Sequence, residues 1–320
     1  MVPGALEREI LPLMAPRLAE LVRRAVPALL GPLEEIRVRA ERPIQLVYLG
    51  GDAFIAPGGH LTADPARAER ATQDDLFRTF QLMARGSVYA WEEEVRSGFL
   101  TLEGGHRVGL CGRAVTEGGR IRTLKQVASL NIRVAREVPG AADPLLPHLV
   151  RGGRFLSTLL ISPPQAGKTT MLRDLVRQLS TGVPRLGLPG LKVGLVDERS
   201  EVAGCRGGVP QRDVGPRTDV LDGCPKAEGL MLLIRSLSPQ VVAADEVGRP
   251  EDAEALMEAL HAGVAVLVTA HGSGLADLRK RPAVAGLLKS GAFERAVLLS
   301  RRRGPGTVEA VLDLAREGVA

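Results

Sequence analysis

Aromatic side chains are scarce in this sequence: one Trp, two Tyr and six Phe among 320 residues. A platform that stacks successive bases would have few rings to use, which argues against a nucleic-acid groove. Cysteine is also scarce. Cys111, Cys205 and Cys224 are odd in number and lack C-x-x-C spacing, so a disulfide framework and a zinc site are both disfavoured. The expected state is three reduced thiols in a cytoplasm. Long apolar runs are missing too. The stretch 262–270 is far shorter than the roughly 20 residues that cross a bilayer, and Glu7, Arg8 and Glu9 break the N-terminus. Neither a membrane span nor a signal peptide is expected. A strong charge bias is the last absence. The net charge of +5 and the pI near 9.4 permit an anionic partner, but the positive residues are dispersed. Their densest run, Arg301-Arg302-Arg303, reads first as solvated surface.

What is present points to two domains, because 320 residues exceed the usual single-core size and 45% hydrophobic residues can fill two cores. Leu11, Leu13, Leu18, Leu21 and Val22 predict an amphipathic helix up to about Arg24, despite Pro12 and Pro16. Strict alternation over 35–40 predicts a half-buried strand, with 44–49 as its partner after a turn at Arg42-Pro43. A helix is expected over 73–84. From 95 to 134, short apolar runs separated by Gly104-Gly105, Gly109 and Gly118-Gly119 predict a small antiparallel sheet with tight turns. The turn formers from Pro139-Gly140 to Pro147 suggest a linker, giving a small α+β domain over 1–145 and a second domain over 146–320. In that second domain apolar runs at 156–161, 193–196, 241–244, 264–268, 296–299 and 308–312 alternate with helical stretches. This is the pattern of an α/β fold with a mainly parallel sheet and sites at its C-terminal strand ends.

One loop in that domain carries chemistry. Ser162-Pro163-Pro164-Gln165-Ala166-Gly167-Lys168-Thr169, followed by Thr170, leaves an apolar strand and opens a helix over 171–179. A Walker A phosphate loop needs that context, because backbone amides and the helix N-terminus must meet the phosphates together. Lys168 would reach the β- and γ-phosphates of ATP and Thr169 would ligate Mg²⁺. Ser162 stands where the pattern has glycine. Further on, the run 241–244 ends in Asp245-Glu246, a Walker B arrangement with Asp245 at the metal and Glu246 placed to polarise water. Two carboxylates after a strand can equally cap the next helix. Asp197-Glu198 and Thr269-Ala270-His271 end two more strands at the same sheet edge. Glu198 competes with Glu246 as the base, and Thr269 or His271 is placed to sense the γ-phosphate. The alternatives are a cap for Asp197 and a structural His271. Arg199, Arg206, Arg212, Arg217 and Arg235 are candidate arginine fingers.

With these residues located, the chain resembles the stage III sporulation protein AA family of endospore-forming bacteria. The resemblance rests on Ser87-Val88-Tyr89-Ala90, Glu92-Glu93-Glu94, Arg96-Ser97-Gly98-Phe99, Gly104-Gly105-His106-Arg107-Val108-Gly109 and Ser129-Leu130-Asn131-Ile132-Arg133. It continues through Val196-Asp197-Glu198-Arg199-Ser200-Glu201, Asp219-Val220-Leu221-Asp222-Gly223 and Ser238-Pro239-Gln240. It implies a RecA/AAA-like P-loop ATPase similar to the hexameric motors of type II and type IV secretion. Such a protein would act from the mother-cell cytoplasm, at the inner face of a membrane complex, on a channel to the forespore. Implied partners are other copies of the chain, as a homo-hexamer, and the membrane-channel proteins of that complex. An acidic box resembling Asp197-Glu198 and a histidine box resembling Thr269-Ala270-His271 flank the nucleotide in those motors. Two other readings stand beside this one: a nucleic-acid-dependent P-loop ATPase, which the scarce aromatics oppose, and an ATP-binding scaffold with little turnover, which Ser162 suggests.

Overall fold

The computed structural model describes residues 6–84, 98–135 and 137–314. The resemblance segments at 87–90 and 92–97, and the start of the sheet expected from residue 95, lie outside them. The chain divides into two compact units, 1–136 and 137–320. The division falls upstream of the expected boundary at 145, and the reason is local. Asp174 accepts the backbone amides of Gly140 at 3.2 Å and Ala142 at 2.8 Å, which ties the turn at Pro139-Gly140 into the second unit.

In the first unit, proline breaks the expected N-terminal helix. Leu6–Ile10 forms a π turn and Leu11–Leu13 a 3-10 turn around Pro12, and α1 (Pro16–Ala25) then starts afresh with Pro16 in its first turn. Proline has no amide to donate, so it fits a helix start but not an interior. The strands are β1 (Leu33–Arg39), β2 (Gln45–Tyr48), β3 (Gly51–Ile55), β4 (Leu61–Thr62), β5 (Phe99–Thr101), β6 (Arg107–Glu117) and β7 (Arg120–Arg133). They form one antiparallel sheet in the order β4-β3-β2-β1-β7-β6-β5. The alternation in β1 works as read: Ile36 and Val38 are fully buried while Arg37 and Arg39 reach the other face. Helix α2 (Gln73–Met83) begins with a capping box between Thr72 and Asp75. The region after residue 98 holds fewer and longer strands than the glycines suggested. Gly109 lies inside β6, opposite Asn131, while Gly118 and Gly119 make the hairpin turn with φ of 57° and 76°.

The second unit opens with α3 (Leu146–Leu149) and a hairpin of β8 (Val150–Arg151) and β9 (Arg154–Phe155). Its main strands are β10 (Thr158–Ser162), β11 (Val193–Asp197), β12 (Thr218–Asp222), β13 (Val241–Ala244), β14 (Ala265–His271), β15 (Arg295–Ser300) and β16 (Thr307–Asp313). They lie in the order β12-β11-β13-β14-β10-β15-β16, parallel except for β16. Helices α4 (Lys168–Thr181), α5 (Lys226–Leu237), α6 (Pro250–His261), α7 (Leu275–Leu278) and α8 (Pro282–Lys289) cover it. Neighbouring residues of one strand enter different cores. Leu160 packs with Leu172 and Leu175 of α4, whereas Leu159 and Ile161 join the cluster of Leu230, Leu233 and Leu256 from α5 and α6. Burial on both faces explains why these strands read as continuous apolar runs. Strand β12, Thr-Asp-Val-Leu-Asp, escaped that reading because it lies at a sheet edge and is only half-buried. Among the described residues no helix is long and apolar enough to cross a membrane.

Candidate functional site

The loop 162–169 joins the C-terminal end of β10 to the first turn of α4. Ser162 closes β10 as a fully buried strand residue in register with His271, and its hydroxyl donates to the Pro163 carbonyl at 2.9 Å. A side chain is therefore accommodated where the motif has glycine. The positive φ angles fall further along, at Gln165 (59°) and Gly167 (80°). Gly167 is required twice over. It occupies the left-handed region, and a Cβ there would lie 2.7 Å from the Gly306 backbone nitrogen. That same Gly306 nitrogen donates to the Ala166 carbonyl at 2.8 Å, so the turn between β15 and β16 braces the loop. Pro163, Pro164 and Gln165 are exposed, and Ala166 is buried.

Beneath the loop the strand ends converge. The Lys168 ammonium, 5% exposed, donates to Asp245 Oδ1 at 2.7 Å and lies 3.4 Å from Glu246 Oε1. Thr169 Oγ1 donates to Asp245 Oδ2 at 2.7 Å, and the Thr269 hydroxyl also donates to Asp245. Burial would raise the Asp245 carboxyl, but Lys168 and these hydroxyls outweigh it and hold the group below the usual carboxylate range. Glu246 sits in the left-handed region at φ 58°, its amide bonded to Thr269 Oγ1 at 2.9 Å. Its carboxylate meets His271 Nε2 at 2.6 Å and Arg199 Nη1 at 3.2 Å. The other imidazole nitrogen, His271 Nδ1, is buried without a hydrogen-bond partner. Arg281 donates to the His271 carbonyl at 2.6 Å.

The acidic end of β11 is arranged differently. Asp197 turns inward and accepts the amides of Glu201, Val202 and Ala203 at 2.9, 3.0 and 2.8 Å, so it caps a loop rather than a helix. Burial pushes its carboxyl up against these amides, and nearby Asp222 adds to the rise. Glu198 pairs with Lys226 at the start of α5, yet it lines the same small cleft as Asp245 and Glu246. Arg173 on α4 donates to the Val202 and Glu201 carbonyls, completing the clamp on the loop.

Lys168, Thr169, Asp245, Glu246, Thr269, His271 and Arg199 thus meet in one place. Thr170 does not join them; it lines a separate hollow with Glu137 and Arg173. Of the finger candidates, Arg217 is spent on the Ser180 carbonyl at 3.0 Å, and Arg235 lies on the outer face of α5. Sequence reasoning missed Lys226 and Arg173. Among the described residues no cluster of three or more His, Cys, Asp or Glu side chains is set to hold a metal by itself. The oxygens of Thr169 and Asp245 instead suit a magnesium ion completed by phosphate and water, which is how this hard cation is usually held.

The family described as "Sporulation stage III, protein AA" matches residues 5–319. The stage III sporulation protein AA of Bacillus subtilis (strain 168) is 49% identical over 281 residues, covering 88% of this chain and 87% of the relative. Among solved structures, the ATPase DotB of Legionella pneumophila aligns with a TM-score of 0.55 at 15% identity, over 83% of this chain and 72% of that one. The pilus retraction motor PilT with bound ADP aligns at 0.51 and 13% identity, over 87% and 76%. At such identities the likeness is one of fold.

Proposed function

The chain belongs to the stage III sporulation protein AA family, and on that premise we propose that it is a magnesium-dependent ATPase. It would work as an oligomeric motor, a homo-hexamer at the membrane complex of a channel between mother cell and forespore. One observation carries this reading: the buried Lys168 ammonium and the Thr169 hydroxyl meet the Asp245 carboxylate at the strand ends, beside the loop that Gly306 braces. The likeness in fold supports it, since DotB is an ATPase and PilT was solved with bound ADP.

Each residue then has a task. Amides of 165–168 and the N-terminus of α4 receive the β- and γ-phosphates. Lys168 neutralises phosphate charge, exchanging part of its carboxylate pairing for phosphate oxygens. Thr169 and Asp245 hold the magnesium ion, which supplies charge neutralisation on the phosphates when bound. Glu246 accepts the proton of the attacking water, and His271 fixes its carboxylate. Glu198, held by Lys226, is the rival base. Arg199, 64% exposed, gives Glu246 a counter-charge that can move.

Calorimetric titration with ATP and magnesium, paired with phosphate release, tests the proposal. Wild type should bind and turn over ATP, and Asp245→Asn should lose magnesium-dependent turnover. Equal activity in the two proteins would remove the site from consideration.

A further inference from the structure

A hollow of about 660 Å³ in the second unit lies apart from these carboxylates, between α5 and α6. Two stripes at helical spacing line it. Glu228, Met231 and Leu232 come from α5, and Glu251, Glu254 and Glu258 from α6. Leu232 is 53% exposed, so the floor presents apolar surface to solvent. The rim holds four glutamates against the single Arg235, a local acidic excess on a chain whose net charge is +5. An apolar floor with a carboxylate rim suits long cationic side chains, which lay methylene stems on the floor and ammonium or guanidinium heads on the rim.

The same unit carries a matching group. Arg301, Arg302 and Arg303 are all exposed, on the turn that joins β15 to β16. Their contacts are light: Arg301 reaches Gln165 at 3.3 Å, and Arg302 lies 3.6 Å from Glu309. The sheet order keeps this turn from its own groove. Helix α5 packs on β11, β12 and β13 and α6 on β14, while β16 is the far edge, with β10 and β15 between. Three strand spacings separate β14 from β16, roughly 14 Å.

We infer that the arginine turn of one copy docks in the α5–α6 groove of the next. Donor and acceptor are different surfaces of one unit, separated across its sheet, so the contact is head-to-tail and propagates from copy to copy, closing into a ring when the rotation permits. The inference rests on the self-assembly part of the proposed function and makes no use of hydrolysis.

Charge reversal tests it on the full chain, with assembly read by analytical ultracentrifugation in ATP and magnesium. Glu251→Arg/Glu254→Arg and Arg302→Glu/Arg303→Glu should each weaken assembly on the order of 100-fold or more, because like charges then face one another. Mixing the two variants should restore assembly through the swapped pairs, which misfolded proteins could not do. Leu232→Asp separates seating from simple attraction: it adds rim charge, yet it should weaken assembly because it spoils the apolar floor. Wild type that assembles together with both reversals intact overturns the interface and leaves the oligomer standing. Wild type that stays monomeric throughout overturns the oligomer and the interface with it.

Discussion

Two strands of one sheet lead into the same dipeptide at the same edge, β11 into Asp197-Glu198 and β13 into Asp245-Glu246, and the two pairs behave in opposite ways. Asp245 faces a cation, the Lys168 ammonium, and its carboxyl is held below the usual range. Asp197 faces backbone amides in a nearly closed pocket, and burial drives its carboxyl up. The glutamates differ as well: Glu246 touches an imidazole and an exposed arginine and lies 3.4 Å from the Lys168 ammonium, whereas Glu198 is paired with Lys226. The chemistry of an acidic strand end is thus set by what the neighbouring strands and helices place opposite it, and composition alone does not distinguish the two.

The largest effect should come from removing the cation that makes them different. Lys168→Ala leaves the Asp245 carboxylate buried without its counter-charge, a change that typically destabilises by about 3–5 kcal/mol. Denaturant unfolding should register that loss, and tight ATP binding should vanish with it. Stability within a few tenths of wild type would mean that the pair contributes little.

Next come the two glutamates. We expect Glu246→Gln to slow hydrolysis by roughly 10²–10⁴, as removal of a general base commonly does, while nucleotide affinity changes little. Glu198→Gln should slow it much less. Phosphate-release rates for the pair decide the matter, and the reverse order would move the base to β11.

A smaller effect is expected at Asp197. Asp197→Asn keeps one carbonyl oxygen but cannot satisfy three amides equally, which should destabilise by about 1–3 kcal/mol. Limited proteolysis within 198–217 should speed up accordingly.

The smallest effect is a difference in pH slope. Asp245 is depressed in the folded state, so its stabilisation is present above the ordinary carboxylate value of about 4 and is lost as pH falls through its native value. Asp197 is raised, so its contribution is present below about 4 and is lost as pH rises through its native value. Unfolding free energies at neutral and acid pH should therefore show Asp245→Asn most damaging near neutrality and Asp197→Asn most damaging in acid. Parallel pH profiles for the two variants would contradict this contrast.

Legibility followed locality. The strand ending at Ser162, the loop after it and the run into Asp245 were readable because strand, turn and helix start are neighbours in sequence. Alternation in β1 revealed its buried face for the same reason. Lys226 was invisible because its partner Glu198 follows β11, 28 residues earlier, and only the fold brings the start of α5 to it. Arg173 read as one more helix arginine, although it grips the carbonyls of a loop nearly thirty residues away. The boundary misled because Pro139-Gly140 has the composition of a linker, while the amide partners supplied by Asp174 are encoded in α4.

Strand β14 lies between β10 and β13, hydrogen-bonded to both. The loop strand and the carboxylate strand therefore never touch, and their separation is two ladder spacings, roughly 9.6 Å. That width is a gauge cut in backbone. Altering Lys168, Asp245 or Glu246 changes what occupies the gap without changing the gap, so charge variants of this site should retain its dimensions. Two side chains from the start of α4 reach Asp245, the short Thr169 and the long flexible arm of Lys168. Shortening that arm by one methylene while keeping the positive charge would leave the cation short of Asp245, a defect of reach and not of electrostatics.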